Sequence, residues 1–216
     1  MPGSEVAARH ELPAAGVAKR PRRRRRLALI TLVGTLALAL FLLSRAGAFL
    51  VLNAPEHADV IVVMNSEWPK AVHLQRQGYA SRVLIEADTK RQVYGKTEAD
   101  LVIDFLRRAK ATGVEMCPTA SDTKFDEAAD VQRCLQPLHP RSVLIVNTDF
   151  DTRRSLSIFR KRLPQYRWSV AGAAAPFHDA DQYWKHRRWA ISVLSEWEDY
   201  LSWKLLEQWR ADVVLR

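Results

Sequence analysis

The sequence predicts an α/β protein whose sheet is mostly parallel, has about five strands and is covered by helices, preceded by one transmembrane helix. Three observations lead there. Short β-branched runs recur between residues 59 and 171, each followed by a stretch with apolar residues at helical spacing. Continuous apolar strands separated by helices belong to parallel sheets buried on both faces. Leu27 to Ser44 reads LALITLVGTLALALFLLS, without a charge, and eighteen residues at helical rise span about 27 Å, close to the apolar thickness of a bilayer.

The tail before that segment sets its orientation. Residues 1–26 hold eight basic groups (Arg9, Lys19, Arg20 and Arg22 to Arg26) against Glu5 and Glu11, so +6 of the net +9 sits there. A nucleic-acid partner is therefore not expected, because a binding domain keeps its basic stripe on the folded part. Arginines flanking a span stay in the cytoplasm. The reading is a basic cytoplasmic tail over 1–26, disordered in its first part, a transmembrane anchor over 27–50 and an extracytoplasmic α/β domain over 55–216. Arg45 can snorkel to the headgroups. Ala46-Gly47-Ala48 fits a signal-peptide cleavage pattern, but the apolar run exceeds the usual length of a signal core, and the uncleaved anchor in the cell (inner) membrane is preferred.

Each element of the domain has its own signal. Asp59 to Met64 (DVIVVM) is the first strand. A helix carrying Ala71 and Leu74 follows, with Gly78 as its C-cap. Arg82 to Glu86 is the second strand. Glu98 to Lys110 places Leu101, Val102, Phe105, Leu106 and Ala109 at a 3.6 spacing, an amphipathic helix. Gly113 to Cys117 is a short third strand, Asp126 to Leu135 a helix closed by Pro137 and Pro140, and Ser142 to Val146 the fourth strand. Thr152 to Leu163 is a helix stopped by Pro164, and Arg167 to Ala171 the fifth strand. Trp184 to about Trp209 reads as one long helix with Trp189, Val193, Trp197, Leu201 and Leu205 along a stripe, taken as core packing or as a face resting on the membrane.

Open parallel sheets bind ligands outside the carboxyl ends of their strands. That rule selects the stretches Asn65 to Lys70, Glu86 to Lys96, Cys117 to Asp126, Asn147 to Thr152 and Ala173 to Trp184. The candidate ligand-binding residues there are Asn65, Glu86, Asn147, Thr148, Asp149 and Asp151, with Arg153 and Arg154 just inside the following helix and Arg153 preferred for ligand contact. Guanidinium geometry suits a phosphate or carboxylate; the alternative is an ion pair with the same acidic loops. Asp122, Asp126, Glu67 and Asp88 add to the carboxylates, which suit Ca²⁺ or Mg²⁺ or simply complement helix dipoles; the second reading is preferred, and no metal and no cofactor is expected. His178, Asp179 and His186 match no zinc spacing. No G-x-S-x-G elbow, P-loop or H-E-x-x-H occurs. Cys117 and Cys134 are the only cysteines, and whether they pair is left open.

The order of these motifs resembles the SanA/YdcF/ElyC family of uncharacterised bacterial envelope proteins. The resemblance rests on an anchor, ADVIVV, a helix ending Ala71-x-x-Leu74-x-x-x-Gly78-x-Ala80, RVLIE, Phe125-Asp126-Glu127-Ala128, VLIVNTDFDTRRSLSIF, then Tyr183-Trp184 and Glu196. It covers roughly residues 55–205 and implies a three-layer Rossmann-like fold, a role in envelope integrity and a place for Glu127 in the site. The chain departs from the family where it matters for chemistry. The usual Gly-rich first loop is Met64-Asn65-Ser66-Glu67-Trp68, the second is Glu86-Ala87-Asp88, and the family His is Asp151. Acidic side chains replace backbone amides that would approach a phosphate, and Asp lacks the neutral-pH titration of His.

Two function classes follow. One is an envelope protein that binds or acts on a lipid-linked cell-wall precursor or other anionic ligand. The other is a non-catalytic binding or scaffolding module with a degenerate site. An enzyme using a nucleotide comes third, since no nucleotide pool is expected outside the cytoplasm. The sequence does not set the oligomeric state.

Overall fold

A computed structural model describes residues 22–65, 67–88, 92–93, 95–119, 124–173 and 180–207. The chain forms two compact units, one ending at Leu42 and one beginning at Leu43. The first is the bulk of helix α1 (Arg22–Leu50), whose leucine, isoleucine, valine and phenylalanine side chains from Leu27 to Leu42 are exposed. Among the described residues one helix, Arg25–Leu50, is long and apolar enough to cross a membrane. Thr31 and Thr35 return their hydroxyls to carbonyls one turn earlier, which leaves no bare hydroxyl for an apolar surrounding. The helix starts at Arg22, inside the stretch read as tail: arginine is a good helix former and extends the apolar helix backwards. The earlier tail lies outside the described residues.

The second unit is the expected doubly wound α/β layer structure. Strands β1 (Val60–Val63), β2 (Arg82–Asp88), β5 (Val114–Thr119), β6 (Ser142–Thr148) and β7 (Arg167–Ala173) form one sheet in the order β5-β2-β1-β6-β7, every neighbour parallel. Alternate residues of each strand feed two cores. Val60, Val62, Leu84, Val143, Ile145 and Val170 meet α4 (Lys124–Leu135) and α5 (Thr152–Arg162). Ile61, Val63, Val83, Ile85, Leu144 and Val146 meet α2 (Trp68–Arg76) and α3 (Glu98–Ala109). This is why the strands read as unbroken apolar runs: both faces are buried.

Helix ends follow their local chemistry. Gly78, at φ +85°, closes α2; its N–H bonds to Gln75 and that of Tyr79 to Leu74, the paired bonds of a left-handed glycine cap. Thr97 and Asp100 form a reciprocal capping box that starts α3. A two-stranded hairpin, β3 (Gln92–Val93) with β4 (Lys96–Thr97), precedes it. Cys117 and Cys134 are joined by a disulfide with Cα atoms 5.8 Å apart, tying β5 to α4.

Three expectations need correction. Strands β2, β5, β6 and β7 run two residues further at their carboxyl ends than their apolar runs suggest. Ala87, Asp88, Asn147 and Thr148 are strand residues, because parallel pairing continues through Asp88↔Thr119 and Thr148↔Ala173. The long last helix is split, because His186 is extended, into a 3₁₀ stretch over Ala180–Lys185 and α6 (Arg187–Ser202), which continues into a wider π-helical turn over Trp203–Glu207. Of its stripe, Val193 is buried and Trp189 and Trp197 pack inward, but Leu201 and Leu205 are exposed. Steps of four residues drift about 40° per step on a 3.6-residue helix, so Glu196 and Trp203 take the buried positions instead.

Candidate functional site

The sheet changes winding direction between β1 and β6, where the carboxyl ends of an open α/β sheet form a crevice. Asn65 bridges that switch point. It sits at φ +50°, a left-handed conformation that Asn tolerates. Its Nδ2 donates to Asn147 Oδ1 at 2.7 Å and to Asp151 Oδ2 at 2.6 Å. Asn147 is fully buried; its Oδ1 also accepts the Thr148 N–H at 2.8 Å, and its Nδ2 donates to Ser155 Oγ at 2.8 Å. Asn147, expected to meet a ligand, instead locks the strand end to α5.

A network of charges continues from Asp151. Arg154 forms a fork with Glu196, Nε to Oε1 at 2.5 Å and Nη2 to Oε2 at 2.8 Å, and Nη2 lies 3.1 Å from Asp199. Glu196 is pushed up to about 8, first by burial; its hydrogen bond to Asp151 and that group's charge push the same way, while Arg154 pulls it back. Burial opposes the Arg154 charge, but its bonds and the surrounding carboxylates overcome it, so the guanidinium stays ionised. The Asp151–Glu196 pair therefore keeps a proton into the neutral range, as close carboxyls do. Glu67, before α2, is raised by burial and by the charges of Asp149 and Asp151. The switch point is thus acidic, with amides between the carboxylates.

Asp149 is buried at the start of the loop, and its Oδ1 fills the space that a side chain on Gly172 of β7 would need. Thr148 is half-buried at the tip of β6, and Glu86 is buried within β2, two residues before its end. Two buried polar atoms without a hydrogen-bond partner among the described residues, Glu127 Oε2 and Trp68 Nε1, belong to the first turns of α4 and α2. The loop is also keyed to the residues following the apolar helix: Thr152 Oγ1 accepts the Leu52 N–H at 2.8 Å and lies 3.3 Å from the Leu50 carbonyl. Leu50 itself is buried against Phe150, Tyr183 and Val193.

Arg153 does not join this group. Its guanidinium lies 4.2 Å from the centre of the Phe49 ring, and its Nε donates to the Phe49 carbonyl. Consecutive helical residues point about 100° apart, so Arg153 and Arg154 could not both face the crevice. Arg153 lines a separate groove of about 460 Å³ with Leu52, Leu156, Ser157, Arg160, Lys161, Tyr200 and Lys204. Glu196 entered the sequence reading only through the family resemblance, and Asp199 and the groove lysines not at all. The spacing of Arg153, Ser157, Arg160 and Lys161 on one helical face was the available signal for the groove.

Among the described residues no group of three His, Cys, Asp or Glu side chains is placed to hold a metal. His186 packs on Trp189, with ring centres 4.0 Å apart, while His178, Asp179 and Asp122 lie outside the described residues. Fold and site define a doubly wound, Rossmann-like α/β protein with an acidic, amide-bridged switch point and one apolar N-terminal helix. No protein-family model, curated protein or solved structure matches this chain.

Proposed function

We propose that the chain is a single-pass envelope protein, with its N-terminus in the cytoplasm and its α/β domain outside, that binds or acts on a lipid-linked cell-wall precursor at the switch point. One observation carries this reading: the loop after β6 accepts, through Thr152 Oγ1, the N–H of Leu52, two residues past the apolar helix. A ligand at Asp151 would lie within reach of molecules held in the bilayer. The acidic character of the crevice favours the hydroxyl- and amide-bearing part of such a precursor over its phosphates, because carboxylates accept hydrogen bonds from sugars and repel anions. Asp151 and Glu196, sharing a proton near neutrality, suit general acid–base work. The resemblance to the SanA/YdcF/ElyC family points to the same compartment.

Native mass spectrometry of the protein extracted with its membrane tests this. Wild type is expected to retain a glycan-bearing lipid that Asp151→Ala loses. Retention of the same species by both would move the ligand away from the switch point. A scaffolding role is the second reading, favoured by how completely Asn147 is engaged with Ser155 and Arg154 with Glu196; it predicts no retained molecule in either protein.

A further inference from the structure

We infer that the groove between α5 and the turn after α6 is an anion site that takes the phosphate of a membrane lipid. It is distinct from the switch point and does not depend on that site's ligand. Four cations line it, Arg153, Arg160, Lys161 and Lys204, with no carboxylate among its lining residues. Arg153, Arg160 and Lys204 alone set three cationic donors on one concave wall, where a single anion can meet them together.

Three of the cations are held in place, and Arg160 is held by donating to the Trp168 carbonyl at 3.1 Å. Arg153 is fixed over the Phe49 ring and to the Phe49 carbonyl. Lys204 donates to Ser157 Oγ at 2.8 Å, and Trp203 Nε1 donates to the same oxygen at 3.1 Å. Cations pre-positioned by neighbours lose little freedom on meeting a phosphate, and guanidinium with ammonium groups is the donor set that phosphate selects.

The location names the source. Phe49 lies in the last turn of the apolar helix, and Leu52, two residues past its end, forms one wall of the groove with Tyr200. Apolar walls beside a ring of cations match a lipid headgroup with the start of its chains better than a free, fully hydrated phosphate.

Calorimetric titration of the full chain in a nonionic detergent tests this, with inorganic phosphate and short-chain phosphatidylglycerol as separate probes. Wild type and Arg107→Gln, a control on the opposite face of the sheet, are expected to bind phosphatidylglycerol saturably, more weakly as salt rises. Lys161→Gln/Lys204→Gln should lose at least about tenfold in affinity, one tenfold step being the least expected from removing two charge-assisted contacts. If the double variant does not fold, Lys161→Gln alone carries the comparison. Inorganic phosphate binding equally well, and equally lost in the variant, would keep the anion site and assign it to free phosphate. No saturable binding of either probe, or binding unchanged in the variants, overturns the site.

Discussion

Arg154 and Glu196 hold each other in a two-pronged fork, with side chains only 11% and 5% exposed, and so fasten the first turn of α5 to the middle of α6. Because Glu196 keeps its proton near neutrality, removing Arg154 leaves a buried carboxyl without its hydrogen-bond donors, at a cost of roughly 1–3 kcal/mol. Arg154→Ala is therefore expected to lower the unfolding free energy of the domain by that amount. Replacing both residues with apolar ones of similar size should cost less than the single change. A denaturant midpoint unaltered by Arg154→Ala would show that α6 does not rest on α5 in solution.

Stability should fall as pH rises through the neutral range. Glu196 has a folded-state pKa raised to about 8 from an ordinary 4.5, so the folded protein binds the proton more tightly than the unfolded chain does between those values. The stabilisation is complete below the unfolded value and is lost as pH approaches and passes the folded one, with a slope of at most ~1.4 kcal/mol per pH unit. Glu67 is shifted the same way. Asp59, lowered by the backbone N–H groups of Arg141 and Ser142, acts oppositely and only in acid. Unfolding measured from pH 5 to pH 8 should show the decline in wild type and a flatter profile in Glu196→Gln. Equal slopes in the two proteins would remove Glu196 as the titrating group.

A methyl group on Gly172 would sit 2.2 Å from Asp149 Oδ1 and 3.3 Å from its Cγ. Asp149 is buried and cannot swing clear. Gly172→Ala is expected to cost about 1–3 kcal/mol, the usual range for overpacking a filled space. Asp149→Ala in that background should restore part of the loss, whereas simple additivity of the two changes would contradict the contact.

The fold was largely legible because its dominant signals are local and repeated. VIVV and SVLIV bury every residue, and such runs mean little except central parallel strands. Gly78 announced its own cap. The strand ends were illegible because Asp88, Asn147 and Thr148 look like loop residues while pairing as strand. The site was half legible. The switch-point rule placed Asn65 and Asp151 together, but Arg153 was preferred over Arg154 although a helix sends neighbours to different faces. Glu196 was invisible to spacing because 42 residues separate it from its partner. The disulfide depends on where α4 packs against β5, which no spacing reveals.

The Cys117–Cys134 bond and the orientation of the anchor make one joint prediction. A domain outside the cytoplasm should carry the bond fully oxidised when extracted with its membrane. Serine at both positions should cost about 3 kcal/mol, as expected for closing a loop of this size. An enzyme reporter that works only outside the cytoplasm should be active when fused after Arg216. Free thiols in the extracted protein, with activity from a cytoplasmic reporter instead, would reverse the topology.

The central claim, that the Asp151–Glu196 pair at the switch point is the working part of an anchored envelope protein, is tested most directly by complementation. A strain lacking the gene would be supplied with wild type, Asp151→Asn or Glu196→Gln at matched membrane levels, then challenged with an agent that stresses the envelope. Both variants keep the shape of the side chain and remove its titration, so neither is expected to restore resistance, although both proteins should accumulate and fold. Full restoration by both, with wild-type retention of any bound lipid, would contradict the account and leave the domain as a scaffold.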